Sequence, residues 1–180
     1  SGAFPIFCPT THGIGGKPMN TNYLSKLNVD WGIGTDCSGG NDDYDMFDEM
    51  RTALVLNNSV AQDNFIKPKD IFRKASEENI SRISGGVFSG TLSKNQKADF
   101  ITISTNTPRM QPLHDVINNI VMCASSKEVK DVYIDGECIV KDSKFQNIDE
   151  EIILEEGTNA INTLFTKTGF DKKIFDGDFS

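Results

Sequence analysis

The sequence predicts an α/β fold, and three observations support this class. Two short apolar segments, 4–8 and 29–34, flank a segment of helical composition, which is the pattern of a βαβ unit with parallel strands. Apolar residues at helical spacing then extend over most of 45–83. After Gly86 the pattern becomes that of short strands joined by tight turns. The 180-residue chain is therefore expected to contain a parallel strand pair, a helical region and a β-rich region.

The first predicted strand, 4–8, ends before Pro9, and a glycine-containing loop is expected over 10–17. A short helix is predicted over 20–27 and the second strand over 29–34. Since that strand ends in Gly-Thr-Asp, Asp36 is expected at the carboxyl end of a buried strand. Enzymes with parallel sheets carry their chemistry at this end, because the loops that follow the strands meet there. Asp36 is thus a candidate site residue, with a turn-capping role as the alternative.

Two helices are predicted in the central region. The first spans 45–57, because its apolar residues share one helical face: Met46, Phe47, Met50, Ala53 and Leu54. The acidic residues around its start are expected to be solvated and to complement the helix dipole: Asp42, Asp43, Asp45, Asp48 and Glu49. The second helix begins at Pro68 and is closed near residue 83 by Gly85 and Gly86.

The last third of the chain is predicted to be a β-rich region followed by a helix. Strands are expected over 90–92 and 98–103, on either side of a polar turn. A hairpin is predicted over 129–140, because Asp135-Gly136 has the composition of a two-residue hairpin turn. The final helix is predicted over 149–167.

The composition excludes several classes of partner. A net charge of −8 and a pI of about 4.7 argue against a nucleic-acid-binding surface and against anionic membranes. No apolar run approaches the roughly 18 residues that span a bilayer, and no signal peptide is recognised. The four cysteines form no C-x-x-C pair, so free thiols in a reducing compartment are expected. These features predict a cytoplasmic protein, and they are compatible with a homo-oligomer.

Five sequence blocks follow one another in the order known from one enzyme family. They are CPTT, WGIGTD, DMFDEMR, SGTLSKNQKADFITI and PLHDVINNIVMCASSKEVKDVYIDGECI. Together they resemble the C-terminal part of the amidohydrolase superfamily, in its chlorohydrolase and deaminase branch. That branch includes methylthioadenosine/S-adenosylhomocysteine deaminases, guanine deaminases and triazine hydrolases. The resemblance extends over nearly the whole chain.

The resemblance implies the last strands and helices of a metal-dependent hydrolase TIM barrel, (β/α)₈, with a small β-sandwich portion and a C-terminal helix. Strands 4–8 and 29–34 would be the seventh and eighth barrel strands, and the first six are expected upstream of this chain. The implied units are residues 1–86 for the barrel part, 87–147 for the β-sandwich portion and 148–180 for the C-terminal helix and tail.

By the same resemblance, Asp36 is the aspartate after the eighth strand, which ligates a divalent metal and shuttles a proton. Zinc is the expected metal, with iron as the alternative. The remaining ligands of the family are histidines, including a His-x-His pair, and neither His12 nor His114 of this chain matches them. The remaining His ligands are therefore expected outside this chain.

His12 follows the end of the predicted seventh strand, at a position where many relatives have asparagine. It is expected at the mouth of the site, where it could bind the substrate, with a surface loop position as the alternative. The implied activity is hydrolysis of a C–N bond other than a peptide bond, by a metal-bound hydroxide. Its small-molecule substrate would be an aminated heterocycle such as a purine or a triazine. The alternative is a catalytically inactive fragment that acts as a folding or association module.

Overall fold

The predicted βαβ unit is present. β1 (Ile6–Phe7) and β2 (Gly32–Ile33) pair as parallel strands, and α2 (Thr21–Lys26) lies between them in the chain. The side chain of Asn20 caps α2, as the sequence suggests for a polar residue at this position. The computed structural model describes residues 3–17, 20–61 and 64–169.

The loop predicted over 10–17 is partly wrong, because α1 (Pro9–Ile14) forms a helix directly after β1. Proline favours the first helical position, since its ring presets φ and no backbone N–H is needed there. Two of the glycines that suggested a loop, Gly15 and Gly16, follow the last helical residue. The residues after β1 are therefore held in a helical turn against the end of the strand.

A side chain closes the second edge of β2. The Asn79 carboxamide accepts the N–H of Ile33 at 3.1 Å and donates to the carbonyl oxygen of the same residue. Only glycine fits beside it, since a Cβ on Gly32 would lie 1.9 Å from Asn79 Oδ1. An unpaired strand edge invites association with other chains, so Asn79 protects the edge at this point.

The central helices match the prediction. α4 (Met46–Val60) begins after Asp45, whose side chain accepts the N–H of Phe47 at 2.9 Å. α5 (Pro68–Arg73) continues through a π-helical turn (Lys74–Glu78) into α6 (Asn79–Ile83). The apolar face of α4 packs into a core that contains Phe7, Trp31, Ile33, Phe47, Met50, Ala53, Leu54, Ile71, Met110, Val121 and Ala124.

A second, antiparallel sheet forms the β-rich region, as predicted. Its strands are hydrogen-bonded in chain order: β3 (Phe100–Ile103), β4 (Val129–Ile134), β5 (Glu137–Lys141) and β6 (Lys144–Phe145). Asp135 and Gly136 join β4 to β5 with φ angles of 51° and 82°, which fits a primed hairpin turn. The two sheets share no strand, so the change of pattern after Gly86 marks a real boundary between sheets.

The strand predicted over 90–92 is wrong. Gly90 has a φ of +68°, and a Cβ there would lie 2.6 Å from the Cα of Glu77. The segment therefore packs closely against the preceding helix and has no strand partner.

One further helix, α7 (Val116–Cys123), lies between β3 and β4, where no element was predicted. Arg51 of α4 donates to the carbonyl oxygens of Met122 and Ala124 at 2.9 and 2.6 Å. These bonds satisfy carbonyl groups at the end of α7 that have no partner within the helix. These bonds also connect α4 to the β-rich region.

The predicted C-terminal helix is α8 (Glu150–Thr168), capped by Asp149. None of its described side chains is buried, and Ile153 and Leu154 are 56% and 70% exposed. The tail of the implied C-terminal unit, 170–180, lies outside the described residues. In the part of the chain that the structure describes, no helix combines the length and apolar character needed to cross a membrane.

Candidate functional site

The carboxyl ends of β1 and β2 bring two polar segments together. α1 follows β1 directly, and Asp36 and then α3 (Ser38–Asn41) follow β2. α1 and α3 are in contact, as expected for segments at the same edge of a parallel sheet. Gly40 lies at this contact: a Cβ there would be 3.1 Å from Thr11 Oγ1 and 3.3 Å from Asp36 Oδ2. The Thr11 hydroxyl and the Asp36 carboxylate thus approach the same point.

Asp36 is exposed and has a left-handed backbone, with a φ of 64°. Aspartate tolerates this conformation better than most residues, but it is uncommon outside turns and functional sites. Asp36 Oδ1 accepts the N–H of Cys37 at 2.8 Å. Within the described residues, Oδ2 has no hydrogen-bond partner and remains available to a ligand.

His12 lies in α1, at the same edge of the sheet as Asp36. Its ring stacks on Phe7, with 5.4 Å between centroids and 12° between planes. Its Nδ1 atom is buried and has no hydrogen-bond partner in the described part of the chain. A buried nitrogen without a partner is uncommon, because it costs free energy.

The Cys8 thiol lies beside the Asp36 segment, 3.7 Å from the position that a Cβ on Gly34 would occupy. Burial raises the pKa of the Cys8 thiol, and the negative charge of Asp36 raises it further. Cys8 is therefore a neutral thiol at neutral pH rather than a thiolate nucleophile.

Glu49 was expected to be solvated, and this is wrong: its side chain is fully buried. It projects from the first turns of α4 and accepts the N–H of Thr10 at 3.1 Å and the side-chain amide of Asn41 at 2.5 Å. Burial raises its pKa, while the hydrogen bonds from Thr10 and Asn41 act in the opposite direction. The contacts with Thr10 and Asn41 could not be predicted from the sequence, in which Glu49 belongs to a run of acidic residues.

Comparison with known proteins identifies the family. The amidohydrolase family matches residues 20–139 of the chain. The 5-methylthioadenosine/S-adenosylhomocysteine deaminase of Bacillus cereus is 32% identical over 146 residues, which are 81% of this chain and 34% of that protein. The chain belongs to the amidohydrolase family. This amidohydrolase chain spans about a third of the length of the curated relatives it matches.

Solved structures agree with the family in their fold. The adenosine deaminase of Xanthomonas campestris, solved with bound zinc, has a TM-score of 0.84 at 24% identity, over 89% of this chain and 37% of that one. The atrazine chlorohydrolase of Arthrobacter aurescens, complexed with zinc, has a TM-score of 0.78 at 18% identity, over 88% and 36%. Guanine deaminase of E. coli has a TM-score of 0.67 at 20% identity, over 78% and 34%. The α/β class predicted from the sequence is therefore confirmed.

Asp36 has the chemistry of a zinc ligand, because one of its carboxylate oxygens has no hydrogen-bond partner among the described residues. Within residues 3–17, 20–61 and 64–169, no three His, Cys, Asp or Glu side chains are grouped so that they could hold a metal ion. Asp36 thus fits one position of a zinc site.

Proposed function

We propose that this amidohydrolase chain is the C-terminal barrel part of a zinc-dependent hydrolase that deaminates an aminated heterocycle, with Asp36 as metal ligand and proton carrier. The observation that carries the proposal is the position of Asp36 at the carboxyl end of β2, with Oδ1 held by Cys37 and Oδ2 unengaged. β1 and β2 are then the seventh and eighth barrel strands, and upstream strands complete the barrel. Asn79 would release Ile33 when a neighbouring strand pairs with β2.

When bound, zinc lowers the pKa of a coordinated water toward about 7 and so supplies a hydrolytic nucleophile at neutral pH. The Asp36 carboxylate accepts a proton from the attacking water as the water oxygen bonds to the ring carbon that carries the amine. Asp36 then returns the proton to the amine nitrogen, the C–N bond breaks and ammonia leaves. The hydrogen bond from Cys37 to Oδ1 keeps the carboxylate oriented through both transfers.

His12 is proposed to bind the substrate. Stacking on Phe7 fixes its ring, and the buried Nδ1 atom needs a polar partner. A ring nitrogen or amine of the substrate is a suitable partner, depending on which nitrogen of His12 carries the proton.

The chain by itself is proposed to be inactive, because one carboxylate does not hold a divalent ion against water. A second candidate function, an association module, is favoured by α8, whose apolar residues are exposed. Once upstream barrel strands are supplied, the first proposal expects hydrolysis of a substrate, and the second expects association without hydrolysis.

The proposed activity is tested in a longer protein that joins this chain to the upstream barrel strands and is loaded with zinc. Ammonia and chloride release are measured with 5-methylthioadenosine, S-adenosylhomocysteine, adenosine, guanine and atrazine. We expect ammonia release from at least one aminopurine. A folded, zinc-loaded protein that releases neither product from any of them would favour the association module.

Gly40→Ala is expected to lower turnover of that protein about tenfold, because the new methyl group lies between Thr11 Oγ1 and Asp36 Oδ2 and shifts one of them. Gly157→Ala is the matched control, since it lies inside α8 with open space around its Cβ position. That control should stabilise α8 by about 0.5–1 kcal/mol and leave turnover unchanged. Equal turnover in both variants would argue against a tight contact at Gly40.

A further inference from the structure

Glu49 joins the two segments that carry the proposed site. Its Oε2 atom accepts the backbone N–H of Thr10, in the turn after β1. Its Oε1 atom accepts the side-chain amide of Asn41, in α3 after β2. Asn41 also donates to the carbonyl oxygen of Thr35 at 3.3 Å, one residue before Asp36. One carboxylate thus contacts the segments that follow both strands: Thr10 lies two residues before His12, and Asn41 also contacts the residue before Asp36.

Packing alone does not explain a glutamate at this position. The side chain of Glu49 is fully buried, and within the described residues no cation pairs with it. Burying a carboxylate without a cation costs free energy that an apolar side chain of similar size avoids. The two oxygens are both used as acceptors, toward donors on two different segments. The distinctive property of Glu49 is therefore its ability to accept two hydrogen bonds across the gap between α1 and α3.

The element that carries Glu49 is rigid. α4 has 15 residues, begins with the Asp45 cap and packs its apolar face into the core. Asp45 also accepts the N–H of Ser126 at 2.9 Å, so the start of α4 is bound to the β-rich region as well. A buried side chain on such a helix can fix the segments that follow β1 and β2, because its own position is determined by the core.

We propose that Glu49 is a positioning residue of the site: through Thr10 and Asn41 it fixes the turn that carries His12 relative to the loop that carries Asp36. This inference rests on the proposed function of Asp36. Glu49 touches neither the substrate nor the metal in this proposal. Its contribution is the relative placement of two segments, on which turnover depends steeply.

The test uses Glu49→Gln in the zinc-loaded longer protein, with Glu128→Gln as matched control. Glu128 is also a buried glutamate, and it accepts the backbone N–H and the hydroxyl of Ser125 at 2.9 and 2.8 Å, far from Asp36 in the chain. Glutamine keeps the size of the side chain, but its NH2 group must face either the N–H of Thr10 or the amide of Asn41, and both of these are donors. We expect Glu49→Gln to lower kcat about tenfold or more with little change in KM. Glu128→Gln should lower the melting temperature and leave kcat within about twofold.

Amide hydrogen exchange provides a readout that does not depend on activity. Glu49→Gln is expected to speed exchange at the Thr10 and Cys37 amides, and Glu128→Gln should not. Unchanged kcat and unchanged exchange in Glu49→Gln would overturn the proposal, as would an equal loss of kcat in both variants. If Glu49→Gln does not fold, Asn41→Ala removes the same bridge from its other side and must give the same loss of kcat.

Failure of this inference is distinguishable from failure of the proposed function through Asp36→Asn, measured in parallel. If Asp36→Asn abolishes turnover while Glu49→Gln does not change it, only the positioning role is wrong. If Asp36→Asn retains turnover, the proposed function itself is wrong.

Discussion

Asp36→Asn is expected to reduce turnover of the zinc-loaded longer protein by about 10²–10⁴-fold, the usual contribution of a positioned acid–base group. The amide is uncharged and cannot accept the proton of the attacking water. The fold should survive, because asparagine also tolerates a φ of 64° and its Oδ1 can still accept the N–H of Cys37. Turnover and melting temperature of the purified variant provide the measurement.

Asp42→Asn is the matched control for this change. Asp42 is an exposed aspartate with a φ of 63°, and it ends α3 six residues after Asp36. Since no role in the reaction is proposed for it, turnover should stay within about twofold of the unchanged protein. Near-normal turnover in a folded Asp36→Asn variant would contradict the assignment of Asp36. Equal losses of turnover in Asp36→Asn and Asp42→Asn would show that the effect is not specific to Asp36.

The second large effect is expected for the 180-residue chain by itself. We expect less than about 0.1 zinc per chain after dialysis and no ammonia release above background, since a zinc site needs about three protein ligands. The described residues supply Asp36 and no group of three metal-ligating side chains. Elemental analysis and an ammonia assay on mass-verified chain provide the measurement.

Adding the upstream barrel strands as a separate chain extends this test. Zinc binding should rise to about one ion per complex, and the Asp36→Asn chain should fail to reach this content. One tightly bound zinc in the 180-residue chain alone would show that its ligands lie within this sequence. In that event the proposal of a shared metal site would be wrong.

Local patterns predicted those parts of the fold that depend on neighbouring residues. The parallel strands and α4 follow from apolar spacing, and the hairpin at Asp135 and Gly136 follows from turn chemistry. The helix α1 was missed because its glycines were interpreted as a loop, although Pro9 is a recognised helix-starting signal. The glycines favour a loop and Pro9 favours a helix start, and the structure follows Pro9.

Contacts between distant residues could not be predicted. Asn79 meets Ile33 46 positions away in the chain, and Glu49 meets Thr10 39 positions away. Helical spacing separates Glu49 from Asp48, because Glu49 lies three residues after Met46 and four before Ala53, at the edge of the apolar face. Asp36 could be selected because a strand end and a family motif coincide there, whereas nothing near Glu49 in the chain indicates its partners.

A crystal structure of the zinc-loaded longer protein, with anomalous data at the zinc edge, tests the central proposal most directly. We expect one zinc peak at the carboxyl ends of β1 and β2, with an Asp36 carboxylate oxygen about 2.0–2.2 Å from the metal. A zinc peak at another place, with Asp36 outside its coordination sphere, would contradict it.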